Sequence, residues 1–371
     1  MKVLSVFGTR PEAIKMCPLV RTLKTCDGLE SLVCTTGQHR EMLSQVLSVF
    51  GVKPDYEIDL MTENQSLTAI TTGVLNELQN VLEECRPDIV LVHGDTTTSF
   101  AAALAAFYRR IPVGHVEAGL RTWDRYAPYP EEMNRQLTGR IAQYHFAPTQ
   151  RAAENLRKEG VVGDVFVTGN TVIDAFATTV RPDYVFREPA LRRLDFSKKV
   201  ILLTAHRREN LGAPLREICG AAKELCARGD VTVVYPVHLN PAVRETVFDV
   251  LRGTENCVLT DPVDVMDMHN LLSRCYMVLT DSGGLQEEAP HFGKPVLVLR
   301  EQTERPEAVE AGTVRVVGTR REAILAAATE LLTDAQAYRK MSRAVNPYGD
   351  GKASGRIAKI LCAIASPKED L

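Results

Sequence analysis

Short β-branched runs alternate with longer amphipathic stretches along most of this chain, and no other feature narrows its fold as much. Val3–Phe7, Ser31–Thr35, Asp88–His93, Val113–Glu117, Tyr144–Ala147 and Val165–Thr168 read as strands, with helical spacing at Ala13–Thr25, Leu67–Cys85 and Ser99–Arg109. The rhythm stops in the proline- and arginine-rich "TTVRPDYVFREPALRRLDFSKK" (Thr178–Lys199). It resumes with strands at Val200–Thr204, Val231–Tyr235, Cys257–Leu259, Met277–Thr280, Val296–Leu299 and Val314–Val317. Such alternation argues for parallel sheets covered by helices on both faces. At 371 residues the chain is too long for one ordinary core. The expected fold class is therefore α/β, two doubly wound Rossmann-like domains facing a cleft. Residues 1–175 and 176–353 form the two domains, Thr178–Lys199 is read as the linker, and a helix over about 354–371 packs back on the first domain.

In such sheets ligands bind beyond the carboxyl ends of the strands, and here those ends are polar. The first half offers "GTRPEAIK", "HGDTTTS" and "HVEAGLR", the second "AHRREN", "PVHLNP" and "DSGGLQEE". One polar strand end means little, but charge or imidazole at six, spread over both halves, implies a site at the interdomain cleft.

The bulk numbers remove several classes of partner. Apolar residues make up 45% and charged residues 25%, as in soluble globular proteins. A formal charge of −3 gives no reason to expect nucleic acid or an anionic membrane surface. "MKVLSVFG" is too short for the apolar part of a signal peptide, and no run is long enough to span a bilayer. Nine cysteines are scattered without a CxxC pair, and most lie in apolar segments. A reducing compartment, the cytoplasm, is the expectation.

Several constellations carry chemistry. In "GTRPEAIK", Arg10 and Lys15 open a helix whose N-terminus favours an anion; the alternative is an Arg10–Glu12 pair with Lys15 solvated. His93/Asp95 and His115/Glu117 are two apart, so both members of each pair can point the same way from a strand. No HExxH or PCxxC supports a metal site, and the histidines read better as bonded to neighbouring backbone. The carboxylates are harder to dismiss, because carboxylates ending buried strands need a task or a partner. Glu131 and Glu132 in "YAPYPEEMNRQ" sit near a helix N-terminus, where at most one need be chemical. Asp95, Glu117 and Glu131 together are suited to moving protons on a sugar.

"DSGGLQEE" poses a question of its own, because an anion cradle at Ser282–Gly284 is followed at once by Glu287 and Glu288. A nucleotide-sugar answers it: a diphosphate for the loop amides, and ribose hydroxyls for a carboxylate such as Glu288. His206, Arg207 and Arg208 in "TAHRRENLG" suit a diphosphate that must leave and return. Neither GxGxxG nor GxxxxGK[ST] occurs, so no nicotinamide cofactor and no P-loop nucleotide is expected, and no metal either.

With these motifs in order, from "FGTRPEAIKMCPLV" through "TTGQHREML", "VHGDTTTSFAAALAAF", "HVEAGLRT", "YPEEMNR", "TAHRREN" and "YPVHLNP" to "TDSGGLQEEAP", the chain resembles the non-hydrolysing UDP-N-acetylglucosamine 2-epimerases over nearly its whole length. The resemblance implies a GT-B-like fold, a homodimer, and conversion of UDP-N-acetylglucosamine to UDP-N-acetylmannosamine without a cofactor. It implies UDP contacts at Arg10, Ser282, Gly283, Gly284, Glu288 and Arg305, to which Lys15 and Met268 are added, with catalytic roles for Asp95, Glu117, Glu131 and His206. An activator site for a second UDP-sugar would take Gln38, His39, Gln65, Glu131, Arg207 or Arg208, and His238. Asn64 stands where relatives often carry arginine, and Val265 and Met268 where they often carry aromatics.

The C2 proton of the sugar is not beside a carbonyl, so elimination of UDP to a glycal and re-addition is the route these residues equip. Four rivals remain at this point: an epimerase for a modified UDP-sugar (diacetamido-uronic acid or N-acetylfucosamine type), a hydrolysing 2-epimerase, a GT-B glycosyltransferase, and a nucleotide-sugar sensor.

Overall fold

The computed structural model describes residues 1–37, 40–60 and 66–366, and every count below refers to these. The chain forms two compact units, one from Met1–Thr178 with the chain from Tyr348 onward, the other from Thr179–Pro347.

The first unit carries a seven-stranded sheet of β1 (Lys2–Phe7), β2 (Glu30–Thr35), β3 (Tyr56–Glu57), β4 (Ile89–His93), β5 (Val113–Val116), β6 (Tyr144–Ala147) and β7 (Asp164–Val167), in the order β3-β2-β1-β4-β5-β6-β7. Every neighbouring pair is parallel. All five residues of β4 and all four of β5 are buried, as expected of strands covered on both faces. Gly114 in β5 is required by packing, since a Cβ there would lie 2.5 Å from a methyl carbon of Leu91. The helix Ala353–Ala365 packs along the helix Arg10–Leu23, and Asp174 accepts hydrogen bonds from the N–H groups of Ala353 (3.2 Å) and Ser354 (2.7 Å).

The second unit carries a six-stranded parallel sheet of β8 (Lys199–Thr204), β9 (Val231–Pro236), β10 (Cys257–Thr260), β11 (Met277–Thr280), β12 (Val296–Val298) and β13 (Val314–Val316), in the order β10-β9-β8-β11-β12-β13. Each sheet reverses its winding at one place, between β1 and β4 in one and between β8 and β11 in the other, which is where doubly wound sheets open a crevice for ligand.

The stretch read as a linker is no free connection. Beyond Thr179 it is bonded to the helix Val265–Arg274 of its own unit. Buried Asp267 accepts from the Tyr184 hydroxyl (2.8 Å) and from the N–H groups of Arg187 (2.9 Å) and Glu188 (2.8 Å). Asn270 accepts from Arg181 N–H (3.0 Å) and donates to the Thr179 carbonyl (2.8 Å). Phe186 and Leu191 are buried beside it. Apart from a short helix at Pro189–Arg192 and a few turns, the segment is irregular, with side chains of the helix Val265–Arg274 satisfying part of its backbone. Among the described residues no helix is long and apolar enough to cross a membrane.

Candidate active site

At the switch point of the first unit, buried Glu12 ties two strand-end loops together. Its Oε2 accepts from the N–H groups of Gly8 (3.0 Å) and Thr9 (2.8 Å), and its Oε1 from the hydroxyls of Thr96 (2.7 Å) and Ser99 (2.9 Å). The capping box of Thr9 and Glu12 starts the helix at Arg10, earlier than the expected Ala13. Glu12 is thus a structural clamp and not the partner of Arg10 that the alternative reading supposed. Arg10 itself is half-buried at the first turn.

β5 ends one residue sooner than expected, at Val116, because Glu117 turns into the left-handed region at φ 61°. A non-glycine residue there costs about 1–2 kcal/mol, strain that persists only where the surroundings impose it. The surroundings are specific: Glu117 Oε2 meets the Lys15 ammonium, accepts from Asn170 Nδ2 at 2.8 Å, and lies 3.8 Å from His93 Nε2. These side chains are nearly dry, with Lys15 14%, Glu117 8% and His93 4% exposed. Lys15, expected at a phosphate, directs its charge at a carboxylate.

Asp95 lies beyond β4, the neighbour of β5. Arg135 Nη2 is 2.7 Å from its Oδ2, and Asn134 Nδ2 donates to its backbone oxygen at 3.0 Å. Burial pushes the Asp95 carboxyl above its ordinary range; Arg135 opposes this, while the charges of Glu117 and Glu131 add to it. The adjacent glutamates of "YPEE" divide their work. Glu132 is fully buried and accepts from the N–H groups of Thr122 (3.0 Å) and Trp123 (3.2 Å) and from Gln136 Nε2 (2.8 Å), whereas Glu131 is half-buried at the start of the helix Glu131–Ile141. His115 is bonded to backbone as expected, its Nε2 donating to the Gly94 carbonyl at 2.7 Å. The buried Nε2 of His93 has no hydrogen-bond partner among the described residues and faces Glu117.

The second unit gathers cations and loop amides at its own switch point. Ser282 and Gly284 are half-buried, and Gly283 is buried beneath Arg305. A Cβ at Gly283 would stand 3.0 Å from Glu304 Oε1, a tight contact, and 3.5 Å from Arg305 Nη2, an ordinary one, which places the guanidinium directly over the loop. Arg305 is aimed by buried Glu287, which its Nε contacts. Removing one partner of such a buried pair costs about 3–5 kcal/mol. Glu288, half-buried, lies 3.8 Å from His269 Nε2. Burial works against a charged Glu304, yet Arg305, Arg300 and Arg207 around it bring its carboxyl down to about 2. Met268 is half-buried on the helix Val265–Arg274. The His206 ring stacks on exposed His238 with centroids 5.1 Å apart. Arg207 Nη2 is 3.3 Å from Glu304 Oε1. Gln38, His39 and Gln65, like Asn64, lie outside the described residues.

Five residues absent from the sequence-derived site emerge as its supports: Arg135 on Asp95, Asn170 and His93 on Glu117, Glu287 on Arg305, and Asp281 behind His206. Asp281 was legible as a carboxylate ending an apolar run. Asn170 carried no local signal.

The family described as UDP-N-acetylglucosamine 2-epimerase matches this chain over residues 21–362. The chain belongs to the UDP-N-acetylglucosamine 2-epimerase family. A UDP-N-acetylglucosamine 2-epimerase of Yersinia pestis is 57% identical over 371 residues, covering 97% of this chain and 98% of that protein. One of Bacillus subtilis strain 168 is 55% identical over 363 residues, covering 97% and 95%. Among solved structures, the UDP-GlcNAc 2-epimerase from Neisseria meningitidis bound to UDP-GlcNAc superposes with a TM-score of 0.92 at 50% identity, covering 98% of this chain and all of that one. The GT-B-like class expected from the sequence is the class of these epimerase-family neighbours.

Proposed function

We propose that this member of the epimerase family inverts C2 of UDP-N-acetylglucosamine to give UDP-N-acetylmannosamine, without releasing free sugar and without a cofactor. The observation that carries the reading is the pair of carboxylates on neighbouring strand ends, each furnished with its own cation: Asp95 with Arg135 and Glu117 with Lys15. A glycosyltransferase has no use for such a pair, and a sensor has no reason to keep it.

In this reading a carboxylate of the first unit removes the C2 proton as the C1–O bond breaks. The electron pair of the C2–H bond forms the C1=C2 bond of a glycal, and UDP leaves with the electrons of the C1–O bond. Re-addition of the diphosphate oxygen to C1, with proton delivery to the other face of C2 by a second carboxylate, completes inversion. Asp95, Glu117 and Glu131 are the acid–base groups. Arg10, Arg305, Ser282, Gly283 and Gly284 hold the diphosphate, Glu288 takes the ribose, Met268 packs on the base, and His206 with Arg207 balances the charge and proton of the leaving group. Preorganised cations at the departing diphosphate supply much of the rate enhancement. Gln38, His39, Gln65, Arg207 and His238 are assigned to an activator site for a second UDP-sugar, and the active species is a homodimer, which light scattering of the purified protein tests.

The discriminating experiment is anion-exchange separation of products after incubation with UDP-N-acetylglucosamine alone. The expected result is UDP-N-acetylmannosamine with no free N-acetylmannosamine. Release of UDP and free sugar in equal amounts would instead make the protein a hydrolysing enzyme.

A further inference from the structure

The two oxygens of Asp281, a fully buried carboxylate immediately after β11, are employed differently. Oδ2 accepts three hydrogen bonds, from the N–H groups of His206 and Arg207 (2.8 Å each) and from Asn210 Nδ2 (3.1 Å). These bonds help to fix the loop after β8, which is also held by Asn210 Nδ2 on the Leu299 carbonyl and Arg207 on Glu304. Oδ1 accepts none among the described residues, although it too is buried, and His206 Nδ1 lies 3.6 Å from it. A buried carboxylate oxygen without a donor is costly. The separation is longer than a hydrogen bond, but catalytic contacts of this kind commonly tighten when ligand binds.

We propose that Asp281 is a positioning residue for His206, turning the imidazole so that a protonated Nδ1 faces its free oxygen and Nε2 is left for the ligand. The inference rests on the role given to His206 above and deepens it: the histidine can exchange a proton with the leaving diphosphate only through the nitrogen that Asp281 does not hold. Asp281 also leads directly into Ser282–Gly284, so one side chain couples the loop of the histidine to the loop of the diphosphate.

The groups around His206 come from three elements. Asp281 stands at the end of β11, His238 stacks on the ring from the segment after β9, and Arg207 and Glu209 belong to the histidine's own loop. Burial lowers the proton affinity of His206, His238 and Arg207 lower it further, and Asp281 and Glu209 work the other way. Asp281, with Glu209, therefore favours the imidazolium form.

Asp281→Asn separates the clamp from the positioning role. The carboxamide oxygen can retain the three donors, while its NH2 then faces Nδ1 and demands an acceptor there, forcing the other neutral tautomer. Long-range nitrogen–proton NMR of histidine-labelled protein, with His206 assigned by its loss in His206→Gln, reads this directly. The full-length wild type is expected to hold the Nδ1–H tautomer when neutral. In Asp281→Asn the Nε2–H tautomer is expected, with a His206 pKa lower by about one unit or more. kcat should fall at least about a hundredfold with KM within about threefold, and UDP binding should survive. A wild-type His206 in the Nε2–H tautomer overturns the proposal even if the variant does not fold. A folded Asp281→Asn protein with unchanged His206 tautomer and pKa also overturns it, leaving Asp281 a loop clamp only. Both readouts need no turnover, so they fail independently of the epimerase reading, whose own failure is an inactive wild type.

Discussion

Lys15, on the helix Arg10–Leu23, and Glu117, just beyond β5, are 102 residues apart in the chain and meet as a nearly dry ion pair. Glu117 adopts a left-handed backbone to reach that position. If the lysine serves the carboxylate and not the diphosphate, Lys15→Met lowers kcat while the Kd for UDP stays within about threefold. Glu117→Gln and Asp95→Asn each cut turnover at least about a hundredfold, the usual size of a general acid–base contribution, again with UDP binding retained. Isothermal titration with UDP beside steady-state kinetics checks all three. A large loss of UDP affinity in Lys15→Met would return the lysine to the phosphate.

Among the described residues, Arg135 is the cation that pairs with Asp95, at 2.7 Å. Burial already holds the Asp95 carboxyl above the ordinary carboxylate range, and Arg135 limits that rise. Arg135→Gln removes the restraint, so the proton is lost only at higher pH. The acid limb of the kcat/KM profile should move upward by about one pH unit or more. An acid limb at its original position would separate it from Asp95.

Burial holds His115 down to about 3 and His145 down to about 4, against an ordinary 6.5. Between pH 6.5 and about 4 the unfolded chain therefore binds protons that the folded one refuses. Stability is full above 6.5 and declines as the pH falls through that window. Urea midpoints should stay level from pH 7.5 to about 6.5 and fall steadily from there to pH 5. His145→Leu should reduce the slope by up to about 1.4 kcal/mol per pH unit, and an unchanged slope would show that His145 titrates normally in the folded protein.

Gly283→Ala tests the cradle under Arg305. The new methyl would press on Glu304, which sits among Arg305, Arg300 and Arg207, without straining the backbone. UDP binding should weaken about tenfold or more, with a Tm within about 3 °C of wild type. Undiminished UDP affinity would remove Arg305 and its loop from the nucleotide site.

The sheets were legible because buried parallel strands are continuous apolar runs, and the sites because carboxylates and imidazoles repeatedly ended those runs. What the sequence hides is which member of an adjacent pair faces inward. Glu131 and Glu132 read alike, as do Glu287 and Glu288, and only packing makes Glu132 and Glu287 the buried, structural members. The partners of the proposed catalytic groups were hidden for a related reason, since Asn170 and Glu117 become neighbours only once β7 is laid beside β6 and β6 beside β5. The unit boundary falls at the start of Thr178–Lys199, and what stayed hidden there is its packing, since its bonds run to side chains of a helix some 80 residues on, a pattern with no period to detect.

The central claim, inversion at C2 through loss and return of its proton, is tested most directly by proton NMR of the purified protein with UDP-N-acetylglucosamine in D2O and no added cofactor. The account predicts UDP-N-acetylmannosamine carrying deuterium at C2. UDP-N-acetylmannosamine that keeps its C2 proton would contradict it, and so would an unchanged substrate spectrum.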